Sequence, residues 1–172
     1  DTLFTGPLPP APIEGKDFGG PRDSGPFRLA PKRAGSPAVG RQRYEGCLIA
    51  GDIDFIFGSA EALFRDCEIR SLYQDKPVNG WISAASSPFW SASTADGTAL
   101  ADDGSAWSWL RPDEAAALRK VANATGRRLD RIGHCFYRCR LSGEPGLAPG
   151  SVYLGRPWRD HARSLFIACE LG

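Results

Sequence analysis

Tyr44-Glu45-Gly46-Cys47-Leu48-Ile49 is followed twenty residues later by Phe64-Arg65-Asp66-Cys67-Glu68-Ile69. The same pattern, aromatic-x-x-Cys-x-aliphatic, returns as Phe136-Tyr137-Arg138-Cys139-Arg140-Leu141 and as Phe166-Ile167-Ala168-Cys169-Glu170-Leu171. Short β-forming units repeated every twenty to thirty residues describe a solenoid, in which each copy stacks on the one before. Equivalent residues then form ladders, Cys over Cys and aromatic over aromatic. Alternation along a strand puts Cys67 and Ile69 inward and Glu68 outward. The expectation is an all-β solenoid with one short strand in each repeat.

Working outward, the cysteines at 47, 67, 139 and 169 are separated by 20, 72 and 30 residues, so the middle interval breaks the period. Within it, Gly80-Trp81-Ile82-Ser83-Ala84-Ala85 reads as a further strand. Residues 89–131 read as an insertion, whose removal leaves an interval of 29, close to one repeat. The insertion holds the one good helix signal, Pro112 to Ala122. Pro112 and two acidic residues open it, basic residues follow, and Gly126 lies just beyond. This helix is expected to be a packing cover. A second insertion is expected at 6–40, where eight prolines and many glycines forbid regular structure. Asp1 to Thr5 and Ser151 to Leu154 read as strands, and a last repeat runs from Ser164 to Leu171. Residues 1–172 are thus read as a single partial solenoid domain carrying two inserted loops.

Composition agrees. The 172 residues include 42% hydrophobic ones, enough for one core, and 20 Gly with 14 Pro suit a turn-rich β protein. A net charge of +1 makes no electrostatic case for nucleic acid or an anionic membrane. No apolar run reaches the 18 residues of a membrane span. The N-terminus lacks a signal-peptide pattern. With no Met anywhere, the chain is expected to be processed or a piece of something longer. Five cysteines without a second ligand-spaced pair do not make a zinc site, so no metal and no cofactor is expected. Cys47 and Cys67, one repeat apart, are equally compatible with a disulfide and with a reduced apolar ladder.

For chemistry, the nucleophile elbow Gly-x-Ser-x-Gly is absent, and so is any phosphate-binding glycine loop. Only two histidines exist, His134 and His161. His134 adjoins Cys135, but neighbours in a strand point to opposite faces, which is poor geometry for a Cys/His pair. What remains is Gly51-Asp52-Ile53-Asp54-Phe55-Ile56-Phe57-Gly58, two carboxylates inside an apolar run. Such a carboxylate needs a partner. Arg156, at a strand end before Pro157 and Trp158, could hold one in a bidentate pair. On the residues alone, a catalytic pair and an ion pair that merely joins two repeats stand about even.

Asp54-Phe55-Ile56-Phe57-Gly58 and Leu154-Gly155-Arg156-Pro157-Trp158 resemble the two signature motifs of the pectin methylesterases, and Asp1-Thr2-Leu3 resembles the end of a third. The likeness covers about 95 residues, approximately 1–5, 41–88 and 133–172, in family order. It implies a right-handed parallel β-helix that hydrolyses galacturonate methyl esters of pectin (homogalacturonan) and releases methanol. It implies that Asp54 is the nucleophile, Asp1 the acid/base residue, and Arg156 the group that orients and ionises Asp54. Trp158, Phe57 and Phe4 match substrate-side aromatics, although strict alternation sets Phe57 opposite Asp54. It further implies export, to the cell exterior or the periplasm; a monomer with neither nucleic-acid nor membrane partners is expected. The family's two oxyanion-stabilising glutamines lie upstream of Asp1 and are not in this sequence. Two rival readings are a polysaccharide-binding β-helix without turnover and a calcium-dependent lyase on the same fold. Methanol release separates the first from the esterase, and unsaturated products mark the second.

Overall fold

The computed structural model describes residues 2–5, 41–58, 60–85, 107–126, 131–158 and 162–172. In chain order the elements are β1 (Leu3–Thr5), β2 (Arg41–Glu45), β3 (Leu48–Gly51), β4 (Ile56–Gly58), β5 (Glu61–Arg65), β6 (Glu68–Ser71), β7 (Gly80–Ala85), α1 (Pro112–Thr125), β8 (His134–Tyr137), β9 (Arg140–Gly143), β10 (Val152–Gly155), β11 (Ser164–Ile167) and β12 (Glu170–Leu171). They form three four-stranded parallel sheets: β1-β4-β7-β10, then β2-β5-β8-β11, then β3-β6-β9-β12. The chain visits the sheets in strict rotation, so each circuit lays one strand on every sheet. This is a parallel β-helix.

The ladders are in the expected register. Tyr44, Phe64, Phe136 and Phe166 align across the second sheet, with successive ring centroids 4.9, 4.7 and 4.5 Å apart and nearly parallel planes. Ile49, Ile69, Leu141 and Leu171 align across the third. Each circuit therefore holds three strands, not one, and each copy of the aromatic-x-x-Cys-x-aliphatic motif spans two of them. The residue before each cysteine has positive φ: Gly46 at 62°, Asp66 at 50°, Arg138 at 56° and Ala168 at 51°. A left-handed residue turns the chain from the second sheet to the third. Hydrogen bonding continues through this corner, as in Glu68 N–H to Cys47 C=O (2.8 Å) and Arg140 N–H to Cys67 C=O (2.9 Å). Cys67 and Ile69 are buried and Glu68 is outward, as alternation predicts. All five cysteines are free thiols.

The helix signal is realised as α1, closed by Gly126 at φ 63°. Its apolar side covers the outer face of the second sheet, where Leu118, Ala115 and Trp107 pack with Leu63, Cys135 and Ile132. The central strands of the second sheet, β5 and β8, are therefore buried on both faces. Polar contacts hold the helix start in place. Glu114 is buried, accepts from the Arg111 amide (2.8 Å), and is paired with both Arg43 (3.0 Å) and Arg65 (2.7 Å). Burial pushes its carboxyl upward, but Arg43, the Arg111 amide and Arg65 together outweigh that and hold it below the usual range.

Among the described residues, the longest uninterrupted connections, 72–79 and 144–151, join the third sheet to the first. Residues 6–40 lie outside the described residues, as do 86–106 and 127–130. No described helix is long and apolar enough to cross a membrane.

Candidate active site

The first sheet presents the residues singled out by the sequence. Phe4 and Phe57 are register partners on β1 and β4, with ring centroids 5.2 Å apart. Trp158 follows β10 and meets Phe57 edge-on at 5.9 Å. It does so across β7, which places only Ala84 and Ala85 opposite Phe57 and Gly58. Small residues there leave room for the two rings to touch. The Arg156 and Trp158 amides extend the β10 ladder, donating to the carbonyls of Ser83 (2.9 Å) and Ala85 (3.1 Å).

Asp54 is not within a strand. It lies in the bend between β3 and β4 with φ at 50°. This left-handed residue breaks the alternation, so counting outward and inward from Asp54 to Phe57 does not apply. The bend lies at Asp54 itself, before the strand. Arg156 donates Nε–H to Asp54 Oδ1 (2.8 Å) and Oδ2 (3.1 Å), and its second terminal nitrogen also bonds Oδ2. The pair is bidentate. The Asp54 carboxylate holds the Arg156 guanidinium above its ordinary value. One strand, β7, separates the partners, lying between β4 and β10. Arg156 crosses it above Trp81, its Cζ 4.2 Å from the ring centroid, and Trp81 stacks with Tyr153 at 5.9 Å. Trp81 and Tyr153 were not visible as site residues in the sequence. An aromatic opening the strand at 80–85 was the available signal, but only the register puts it under Arg156.

Asp52 does have partners. Its Oδ1 accepts from the Ile53 amide (2.7 Å), and Oδ2 is paired with the Gln74 side chain. Gly80 makes this packing possible, since a Cβ there would lie 2.0 Å from the Asp52 carbonyl oxygen. Asp1 and His161 lie outside the described residues.

Beneath the aromatic surface runs a buried polar chain. His134 Nε2 is 2.8 Å from Thr5 Oγ1, and Nδ1 is 2.9 Å from Ser83 Oγ, which in turn is 2.8 Å from Ser164 Oγ. Gly58, the register partner of Thr5, has φ at 135°, and a Cβ there would sit 2.1 Å from the Thr5 carbonyl oxygen. Burial lowers His134 to about 4, so the ring is neutral. Cys135 points the other way, into the cluster under α1, where burial raises its thiol. The two neighbours do not form a Cys/His site.

The pectinesterase family model matches residues 37–92. Pectinesterase A of Emericella nidulans is 32% identical over 134 residues, covering 77% of this chain and 28% of that protein. Probable pectinesterase 8 of Arabidopsis thaliana is 30% identical over 137 residues, covering 77% and 24%. A solved pectin methylesterase from Aspergillus niger is 24% identical, covers 76% of this chain and 30% of its own, and superposes with a TM-score of 0.45. The chain thus spans about a quarter of the length of the curated relatives it matches. The chain is thus similar to the pectinesterases, over residues 37–92 for the family model and over about three quarters of its length for these relatives.

Proposed function

We propose that this chain carries the reacting face of an esterase that removes methyl groups from the galacturonate esters of pectin. The observation that carries the reading is the bidentate Asp54–Arg156 pair set beside Phe4, Phe57 and Trp158 on one sheet face. A carboxylate has about four lone-pair positions, and a bidentate guanidinium occupies two. The Asp54 side chain keeps 19% of its surface open, so an oxygen is available to a carbonyl carbon. The aromatic rings offer flat apolar faces for a sugar ring whose carboxyl is esterified and uncharged.

In this reading Asp54 attacks the ester carbonyl and forms a tetrahedral oxyanion. Collapse expels methoxide, which takes a proton from Asp1 and leaves as methanol. An anhydride between Asp54 and the galacturonate remains. Water, giving its proton to Asp1, attacks that anhydride and restores both aspartates, leaving the sugar carboxylate. Arg156 fixes the plane of the Asp54 carboxylate throughout. Donors to the oxyanion would come from residues upstream of Asp1, and such a donor is worth about 10²–10³ in rate. The substrate is a wall polysaccharide, so the protein would work outside the cytoplasm.

The test is methanol release from methylesterified pectin, using the chain extended upstream through the two glutamines. Asp54→Asn should abolish it while folding is preserved. Equal turnover by the Asn variant, or pectin binding with no methanol, would sink the esterase reading. Accumulation of ultraviolet-absorbing unsaturated products would point to a lyase.

A further inference from the structure

We infer that Trp81 is a positioning residue for Arg156, the floor on which the guanidinium is held in the plane that grips Asp54. The inference rests on the esterase reading for its consequence in turnover, but not for its geometry. Asp54 precedes β4 and Arg156 follows β10, with β7 between them. Adjacent strands lie about 4.8 Å apart, so the arginine reaches across roughly 9.6 Å of sheet. Its side chain is 45% exposed. A long exposed arginine loses much of its pairing energy to rotamer freedom and to screening by salt. Something has to hold this one if the bidentate contact is to persist.

Trp81 is the residue in position to do so. It lies on the intervening strand, and the Arg156 Cζ sits 4.2 Å from its ring centroid, well inside the range of a cation–π contact. A planar guanidinium stacked on an indole has its orientation restricted to the ring plane, which is what two parallel N–H bonds to a carboxylate require. Tyr153 pairs with Trp81 in register and stacks with it at 18° between planes, so the indole is itself held. Tryptophan is the strongest of the aromatic partners for a cation, and phenylalanine retains the face without the indole.

The closing experiment reads geometry and turnover separately. In the wild-type chain, nuclear Overhauser contacts are expected between Trp81 ring protons and the Arg156 Hδ and Hε protons. The Arg156 Hε signal, identified by its loss in Arg156→Lys, should be shifted upfield and protected from exchange. The wild-type Overhauser contacts need no variant to fold, and their absence overturns the inference. Trp81→Leu should lose the protected Hε signal and lower kcat by about 10-fold or more with KM within about twofold, as loss of orientation at the reacting group predicts. Trp81→Phe should keep the signal and stay within about threefold of wild-type kcat. A folded Trp81→Leu protein, judged by circular dichroism, that keeps the Hε signal or the wild-type kcat refutes the role. If the upstream-extended chain turns over no pectin, the esterase reading fails, and the nuclear Overhauser result still decides whether Trp81 holds Arg156.

Discussion

Among the carboxylates paired with arginine in the described residues, Glu114 and Asp54 are built for opposite ends. Glu114 has 1% of its side chain exposed and is saturated by Arg43, Arg65 and the Arg111 amide. Asp54 has 19% exposed and is held by Arg156, whose own side chain is 45% exposed. In both, guanidinium nitrogens close on a carboxylate beside apolar surface. Only the second leaves an oxygen facing open space next to aromatic rings. A closed cluster ties the helix to the β-helix wall; an open pair can do chemistry. Identical residue types therefore say little until burial and the number of donors are known.

The comparison can be broken most directly at Asp54. Asp54→Asn should lower methanol release by at least about 10⁴-fold, in line with loss of a nucleophile. The same change should shift stability by less than about 1 kcal/mol, as expected for an exposed pair. A large drop in melting temperature would make Asp54 a structural residue like Glu114. The mirror experiment is Glu114→Gln, which leaves two arginines facing a neutral amide in a buried place. It should cost about 3–5 kcal/mol in denaturant unfolding while turnover per folded molecule is unchanged. A loss of turnover without a loss of stability would erase the distinction.

Acid titration sharpens the contrast from a third position. His134 is buried neutral, lowered from 6.5 to about 4. The unfolded state therefore binds more protons between these values, and stability falls as pH drops through that window. The loss should approach about 3 kcal/mol by pH 4. His134→Gln should flatten this segment of the stability curve. The Glu114 contribution, its carboxyl being lowered, is present above the ordinary glutamate value of 4.5 and is lost as pH falls below it. The two slopes are thus separable by pH. The smallest expected effect is at the aromatic surface. Trp158→Ala should raise KM for pectin by roughly tenfold, near 1.4 kcal/mol of lost stacking, with stability hardly changed.

The repeat was legible because its signal is local and redundant. Four copies of aromatic-x-x-Cys-x-aliphatic announce ladders whatever the details of the chain between them, and the observed register follows those copies residue by residue. The helix was legible from Pro112, its acidic first turn and Gly126. The division of each motif copy between two strands was not. It depends on left-handed backbone at Asp66, Arg138 and Ala168, residue types that carry no strong preference for it, and only Gly46 hinted at a corner. The same limit applied at Asp54, where a positive φ in a non-glycine residue defeated the parity count.

By itself the sequence determined the class of fold and the chemical candidates. Periodicity is encoded in every copy, and an aspartate in an apolar run or an arginine before Pro-Trp is readable wherever it lies. Distances between distant residues belonged to the tertiary structure. Stacking put Arg156 two strands from Asp54, inserted Trp81 between them, and gave Asp52 a partner in Gln74. Which carboxylate stayed open was decided there as well. Solvent exposure is a property of the assembled surface, set by how neighbouring rungs and the covering helix pack. No short stretch of chain contains it.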